Sequence, residues 1–243
     1  MEKKDFCKQL KQGLKKLDLQ ISSAQLTKFW RYKNFLQREN KKYNLTAADS
    51  DEEIITRHFF DSAAVFTFLE KQTTEYVFDL GSGAGFPGMV FRILFPELPL
   101  FFLDARLKRI IFLNKLVEYL AISGENLQIR HGRAEELGSR TKYREKYNTV
   151  VSRAVAPLNI LCEYCLPFIK IGGFMIAYKG DDYQNELRQA RNAIEILGGE
   201  YLGNENVKIP GTEINRSYLI IRKVRQTPEK FPRRPGQPKK NPL

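Results

Sequence analysis

The chain has 243 residues, enough for one sizeable core and a small appended part. Hydrophobic residues make up 42% and charged residues 28%, a globular balance that excludes a disordered or fibrous chain. The net charge of +12 is carried at the two ends: residues 1–44 hold twelve Lys/Arg against four Asp/Glu, and residues 222–243 hold eight against one. Basic ends on a mildly acidic middle are the electrostatic footprint of a nucleic-acid partner, with solvated lysines on a helix and a tail as the plainer reading.

The first residues, MEKKDFCKQLKQ, have no apolar signal-peptide core, and no run reaches the length of a membrane span. A cytoplasmic chain with no membrane partner is expected, and three cysteines suit a reducing compartment. Phe6, Leu10, Leu14 and Leu17 recur at helical spacing. Ser23 is placed to cap a second helix, with Leu26, Phe29, Trp30 and Leu36 inward and Lys28, Arg31, Lys33 and Arg38 as a basic face. NKKYNLT, residues 40–46, reads as a break. A third helix is expected over about 51–69, with Ile54, Ile55, Phe59, Ala63 and Phe66 inward. Within it His58 and Asp61 stand about one turn apart and could share a hydrogen bond. A role in fixing this helix is preferred to direct catalysis. The polar residues 70–75 read as a joint, so residues 1–70 form a helical subdomain.

Tyr76 to Arg92, YVFDLGSGAGFPGMVFR, is the most informative stretch. A short apolar strand meets Asp79, then Gly81, Gly83 and Gly85 alternate, and Pro87 suits the first turn of an apolar-periodic helix. Glycines let a backbone turn tightly against a ligand, and the helix N-terminus behind them favours a carboxylate or phosphate. Two cofactor classes compete. Gly83, Gly85 and Gly88 with Asp104 match a dinucleotide fingerprint and hence an NAD-dependent oxidoreductase. Asp79 followed by all three alternate glycines matches an S-adenosylmethionine-dependent methyltransferase, which leaves fewer residues unexplained.

The chain then alternates: a strand from Leu100 to Leu103 ending at Asp104, a helix over 106–122, a strand at Leu127–Ile129, and a strand at Thr149–Val151 ending at Ser152-Arg153. A helix over 157–168 contains Cys162-x-x-Cys165, where buried thiols are expected and no metal. A fifth strand at Phe174–Tyr178, a helix over 183–197, and two strands near 200–208 and 217–223 complete the core. The last two lack a helix between them and should pair antiparallel. The expected fold class is therefore α/β: a Rossmann-like methyltransferase domain over 71–225, with a seven-stranded, mostly parallel sheet and an antiparallel final strand. The tail over 226–243, QTPEKFPRRPGQPKKNPL, is expected to make no helix and to extend as an arm along an RNA backbone.

The phrases KKYNLTA, RHFFDS, DLGSGAGFPG, LDARLKRIIFL, VVSRAVAPL, GGFMIAYKG and PRRPGQPKK together resemble one family over nearly the whole chain, the bacterial small-subunit ribosomal RNA methyltransferases also called glucose-inhibited division protein B. Ala105 departs from the serine many members carry. The resemblance implies methylation of guanine N7 in a 16S ribosomal RNA loop near the decoding site, from S-adenosylmethionine, with 16S RNA or the small subunit as partner and a monomeric enzyme. It implies cofactor contacts at Gly81 and Phe86, at Ala134 and Glu135 by the adenine, and at Arg153 by the active pocket. With Gly83, Gly85 and Asp104, whose carboxylate can accept ribose hydroxyls, these make the candidate cofactor site.

Core packing for Phe86, helix capping for Asp104 and a helix start for Glu135 are the bland alternatives. Ser152-Arg153-Ala154 stands where amino-group methyltransferases carry an Asp or Asn phrase. Guanine N7 loses no proton, so no catalytic base is needed and Arg153 is a candidate for positioning. Lys179 is a candidate phosphate or base contact, or a surface lysine.

Overall fold

The computed structural model of the chain describes residues 1–69, 76–122, 124–180 and 182–243. Helix α1 (Lys3–Lys16) buries Phe6, Leu10 and Leu14 on one face and leaves Lys3, Lys4, Lys8, Lys11, Lys15 and Lys16 exposed. Helix α2 (Ser23–Tyr43) is capped one residue earlier than the sequence suggests. Ser22 Oγ accepts the Gln25 N–H, and Gln25 Oε1 accepts the Ser22 N–H. The Gln25 amide also donates to the carbonyls of Ile93 and Leu94, and so ties this cap to the sheet layer. The expected break begins only at Asn44, in the left-handed region at φ 49°. There the Asn40 side chain accepts the N–H groups of Leu45 and Thr46. The expected basic face of α2 is only partly one. Lys33 is buried on Asp51 at 3.0 Å and lies over the Trp30 ring, and Arg31 lies over Tyr119.

The third helix is not regular. An α-turn, α3 (Asp51–Glu53), passes into a π-helix at Ile54–Phe60, then α4 (Asp61–Ala63) and α5 (Phe66–Leu69). Ile54, Ile55, Phe59, Ala63 and Phe66 are buried as the pattern requires. The wider π turn changes which side chains meet, and such turns gather at functional sites. The joint over 70–75, and with it the subdomain boundary, lies outside the described residues.

Among the described residues seven strands make one sheet: β1 (Val77–Leu80), β2 (Leu100–Asp104), β3 (Leu127–His131), β4 (Tyr147–Arg153), β5 (Ile169–Lys179), β6 (Gly199–Lys208) and β7 (Asn215–Lys223). Their order is β3-β2-β1-β4-β5-β7-β6, with the first five parallel and β7 antiparallel to both of its neighbours. The intervening helices are α6 (Gly88–Leu94), α7 (Leu107–Tyr119), α8 (Ala134–Gly138), α9 (Leu158–Cys165) and α10 (Tyr183–Ile196), and a single 3-10 turn, Leu166–Phe168, follows α9.

Side chains alternate across the strands, so Val77, Leu100 and Phe102 face one core while Phe78, Phe101 and Leu103 face the other. The first core holds α1, α2, α6 and α7; the second holds α8, α9 and α10. The N-terminal helices thus share a core with the sheet. Cys162 and Cys165 are buried in the second core, where burial pushes the Cys162 thiol up to about 12. Strand order reverses between β1 and β4, and ligands of open α/β sheets bind in the crevice at such a point.

The tail departs from expectation. Phe231 is buried in the second core, and Arg233 makes a two-pronged ion pair with Glu163, at 2.9 Å from Nε and 2.6 Å from Nη2. A one-turn helix, α11 (Gln237–Lys240), follows, with Pro238 in the first turn where its missing N–H costs nothing. The prolines set the chain's path, but burial of Phe231 and pairing with Glu163 fix it to the body. Glu163 is 1% exposed, so Arg233→Ala leaves a buried carboxylate with a backbone N–H but no counter-charge. Urea unfolding should show a loss of about 3 kcal/mol, against about 0.5 kcal/mol or less for the exposed Lys239→Ala.

Candidate active site

The turn after β1 is held from three sides. The Gly83 N–H donates to Asp104 Oδ2 at 2.9 Å, and the Gly88 N–H donates to Asp79 Oδ2 at 2.8 Å. Tyr32 Oη, from α2, donates to the Ala84 carbonyl at 2.6 Å. Glycine is required at both ends of the turn. Gly81 (φ 80°) lies under Val155, so that a Cβ would overlap its Cγ2 methyl. At Gly85 (φ 98°) a Cβ would stand 2.8 Å from Tyr32 Oη. Asp79 is fully buried. Its Oδ1 has no partner among the described residues, and burial pushes the carboxyl up to about 7.

A cleft of about 260 Å³ opens at the carboxyl ends of β1 to β4, lined by Gly81, Asp104, Ala105, Arg109, Ala134, Glu135, Val155 and Tyr164 among others. Asp104 is 3% exposed and sits in its floor. Oδ1 accepts the Arg106 N–H at 2.8 Å, bracing the entry to α7, and Oδ2 also takes Arg109 at 3.0 Å. Glu135, at the start of α8, accepts the Gly236 N–H at 3.0 Å.

A second pocket, of about 540 Å³, lies beyond β4 and β5. It is lined by Arg57, Arg153, Lys179 and Arg216 against Asp61 and Glu186, with His58 beside them. Arg153 Nη1 donates to Asp61 Oδ2 at 2.8 Å and to the Arg57 carbonyl at 3.1 Å, and Nη2 meets His58 Nδ1 at 2.6 Å. The expected His58–Asp61 bond is therefore replaced by a bridge through Arg153, because the π turn aims both side chains at β4. A guanidinium only donates, so His58 Nδ1 is the bare nitrogen and Nε2 carries the proton, which it gives to Thr46 Oγ1 at 2.6 Å. Burial, then the charge of Arg153, drives the imidazole down to about 3. Asp61 Oδ1 takes Arg216 at 2.7 Å. Lys179 is 8% exposed and paired with Glu186 at 2.5 Å, so it is not a surface lysine.

The structure brings Gly81, Asp104, Ala134 and Glu135 to the first cleft and Arg153 to the second. Gly83 and Gly85 support the turn from behind. Phe86 stacks with His58 at 4.4 Å and with Tyr32 at 5.3 Å between ring centres, so neighbouring rings pack on it. Sequence reasoning missed Val155, Tyr164 and Arg216. Ala154 and Val155 line both pockets and form the partition between them. Their placement follows from the left-handed Ala154 (φ 56°), which no residue type in VVSRAVAPL announces.

A family model described as GidB, rRNA small subunit methyltransferase G, matches residues 25–215. The chain belongs to that family. It is 41% identical to the ribosomal RNA small subunit methyltransferase G of Alkaliphilus metalliredigens, covering 96% of this chain and 97% of the relative. To the enzyme of the same name from Acetivibrio thermocellus it is 43% identical, covering 97% and 96%. A solved Klebsiella pneumoniae structure, from a protein proposed to be an O-methyltransferase, aligns with a TM-score of 0.53 at 11% identity over 80% of this chain and 90% of that one. That likeness is one of fold, and the methyltransferase sheet is the one found here.

In this family member His58 has a testable signature. Its imidazole is protonated below about 6.5 in the unfolded chain but only below about 3 in the folded one. The stability it contributes is whole above 6.5 and is lost as pH falls towards 3. Urea unfolding between pH 7.5 and 4.5 should show His58→Asn with a shallower pH slope than the parent, by up to one proton.

Proposed function

We propose that the chain transfers a methyl group from S-adenosylmethionine to N7 of a guanine in 16S ribosomal RNA near the decoding site, acting as a cytoplasmic monomer. The observation that carries the choice of atom is that, among the described residues, the second pocket offers no free base. Both oxygens of Asp61 are taken by arginines, Glu186 is paired with Lys179, and both ring nitrogens of His58 are committed. Methylation of an exocyclic amine or a hydroxyl releases a proton and benefits from a base, whereas guanine N7 presents a bare lone pair. The name carried by the relatives supports a ribosomal RNA substrate.

The first cleft suits the donor. A side chain at position 81 would collide with Val155, Ala105 and Ala134 are small, and Asp104 sets a buried carboxylate at a strand end where ribose hydroxyls can meet it. When bound, the donor supplies a methyl group on a positively charged sulfur. The proposed contacts are Gly81, Gly83, Gly85, Phe86, Asp104, Ala134, Glu135 and Arg153. Arg153, held by Asp61 and His58 on one side, positions the base beside the partition of Ala154 and Val155. The work of the site is orientation and exclusion of water rather than acid–base chemistry. The exposed lysines of α1 supply a surface for the RNA backbone.

Labelled methyl should enter unmodified 16S RNA or small subunits, and mapping should place it on a guanine N7. Single-turnover transfer should change less than about threefold between pH 6 and pH 8, because guanine N7 gives up no proton and its methylation needs no base. A steep loss towards pH 6, or label in another RNA or on another atom, would contradict the proposal.

A further inference from the structure

We propose that the C-terminal segment over 227–240 backs the outer wall of the donor cleft and, by fixing that wall, sets affinity for the adenosine end of the donor, a role separate from any grip on RNA. This rests on reading the first cleft as the donor site. Two residues on the far side of that cleft are Glu135 and Tyr164. The tail holds Glu135 directly, and it holds the helix turn that carries Tyr164 through the preceding residue. The Glu135 carboxylate is 6% exposed and receives the Gly236 N–H at 3.0 Å. Tyr164 follows Glu163, whose buried carboxylate takes the backbone N–H of Arg233 at 2.8 Å as well as its guanidinium.

A third tie joins the other end of α8 to the same segment. Arg144 donates to the carbonyls of Gly138 at 3.1 Å, Phe231 at 2.8 Å and Thr227 at 2.6 Å. Helix α8 is only five residues long and cannot hold its own position in isolation. Its two ends are fastened to the tail, and Ala134 and Glu135 face the cleft. Arg234, Lys239 and Lys240 remain exposed on the segment. Buried charge pairs and inward backbone bonds are what a fixed backing for that wall needs. An arm that closed only on RNA would leave Phe231 and Arg233 unanchored until RNA arrived.

The test uses S-adenosylhomocysteine as probe and two variants of the full protein. A chain ending at Arg234 keeps the Arg233–Glu163 clasp but removes the Gly236 donor and α11. Its dissociation constant for the probe should rise about tenfold. The double variant Lys239→Ala/Lys240→Ala should leave that constant unchanged while lowering RNA affinity and its salt slope. Coupling is reciprocal, so in the intact protein the bound probe should slow hydrogen exchange of the amides over 232–240. That measurement stands even if the shortened chain folds poorly. Probe affinity within twofold of the parent in the shortened chain, or no protection of the segment, would overturn the inference alone. An intact protein that binds no probe would overturn the reading of the cleft, and this inference with it.

Discussion

Two carboxylates buried at neighbouring strand ends hold the structure's functional part in shape. Asp79 and Asp104 each accept a backbone N–H of the glycine turn, at Gly88 and Gly83. Backbone groups in a tight turn cannot satisfy one another, and away from water each unpaired one is costly. Asp104 braces the start of α7 as well, so the turn after β1 and the turn after β2 share one anchor. Tyr32 closes the arrangement by reaching from α2 to Ala84. The cleft between these turns exists because its walls are fixed before any ligand arrives, which is the condition for binding without a cost of reordering.

The same logic builds the neighbouring pocket from a different part of the chain. Asp61 is 1% exposed and shares its two oxygens between Arg153 from β4 and Arg216 from β7. One acid facing two guanidinium groups leaves a local excess of positive charge, which suits an RNA substrate. The N-terminal helices therefore do more than present a basic surface. They supply Tyr32, His58 and Asp61, and His58 stacks on Phe86 of the glycine turn.

Much of this was legible in the residues themselves. The glycine spacing, the acids at the ends of β1 and β2, and the alternation of strands with helices led to the sheet and to the antiparallel pairing of the last two strands. Local pattern carries that information because each element buries a face with its own period. What stayed hidden depends on partners distant in sequence. The π-helix at Ile54–Phe60 has the residues of an ordinary helix, and His58 and Asp61 find their shared partner in Arg153, far away in sequence. Arg153 and Arg216 read alike as basic residues until a shared acid is seen between them. The tail's prolines and lysines suggested a free arm, yet one buried ring and one buried acid decide its course. Val155 gave no signal, because its place over Gly81 comes from a left-handed alanine.

The most direct measurement of the central claim is a crystal structure with S-adenosylhomocysteine bound. The nucleoside should lie in the cleft between Gly81 and Ala134, its ribose against Asp104, with the tethers at Gly83 and Gly88 unbroken. A ligand lodged elsewhere, or a turn that must release Asp79 and Asp104 to admit it, would contradict the account.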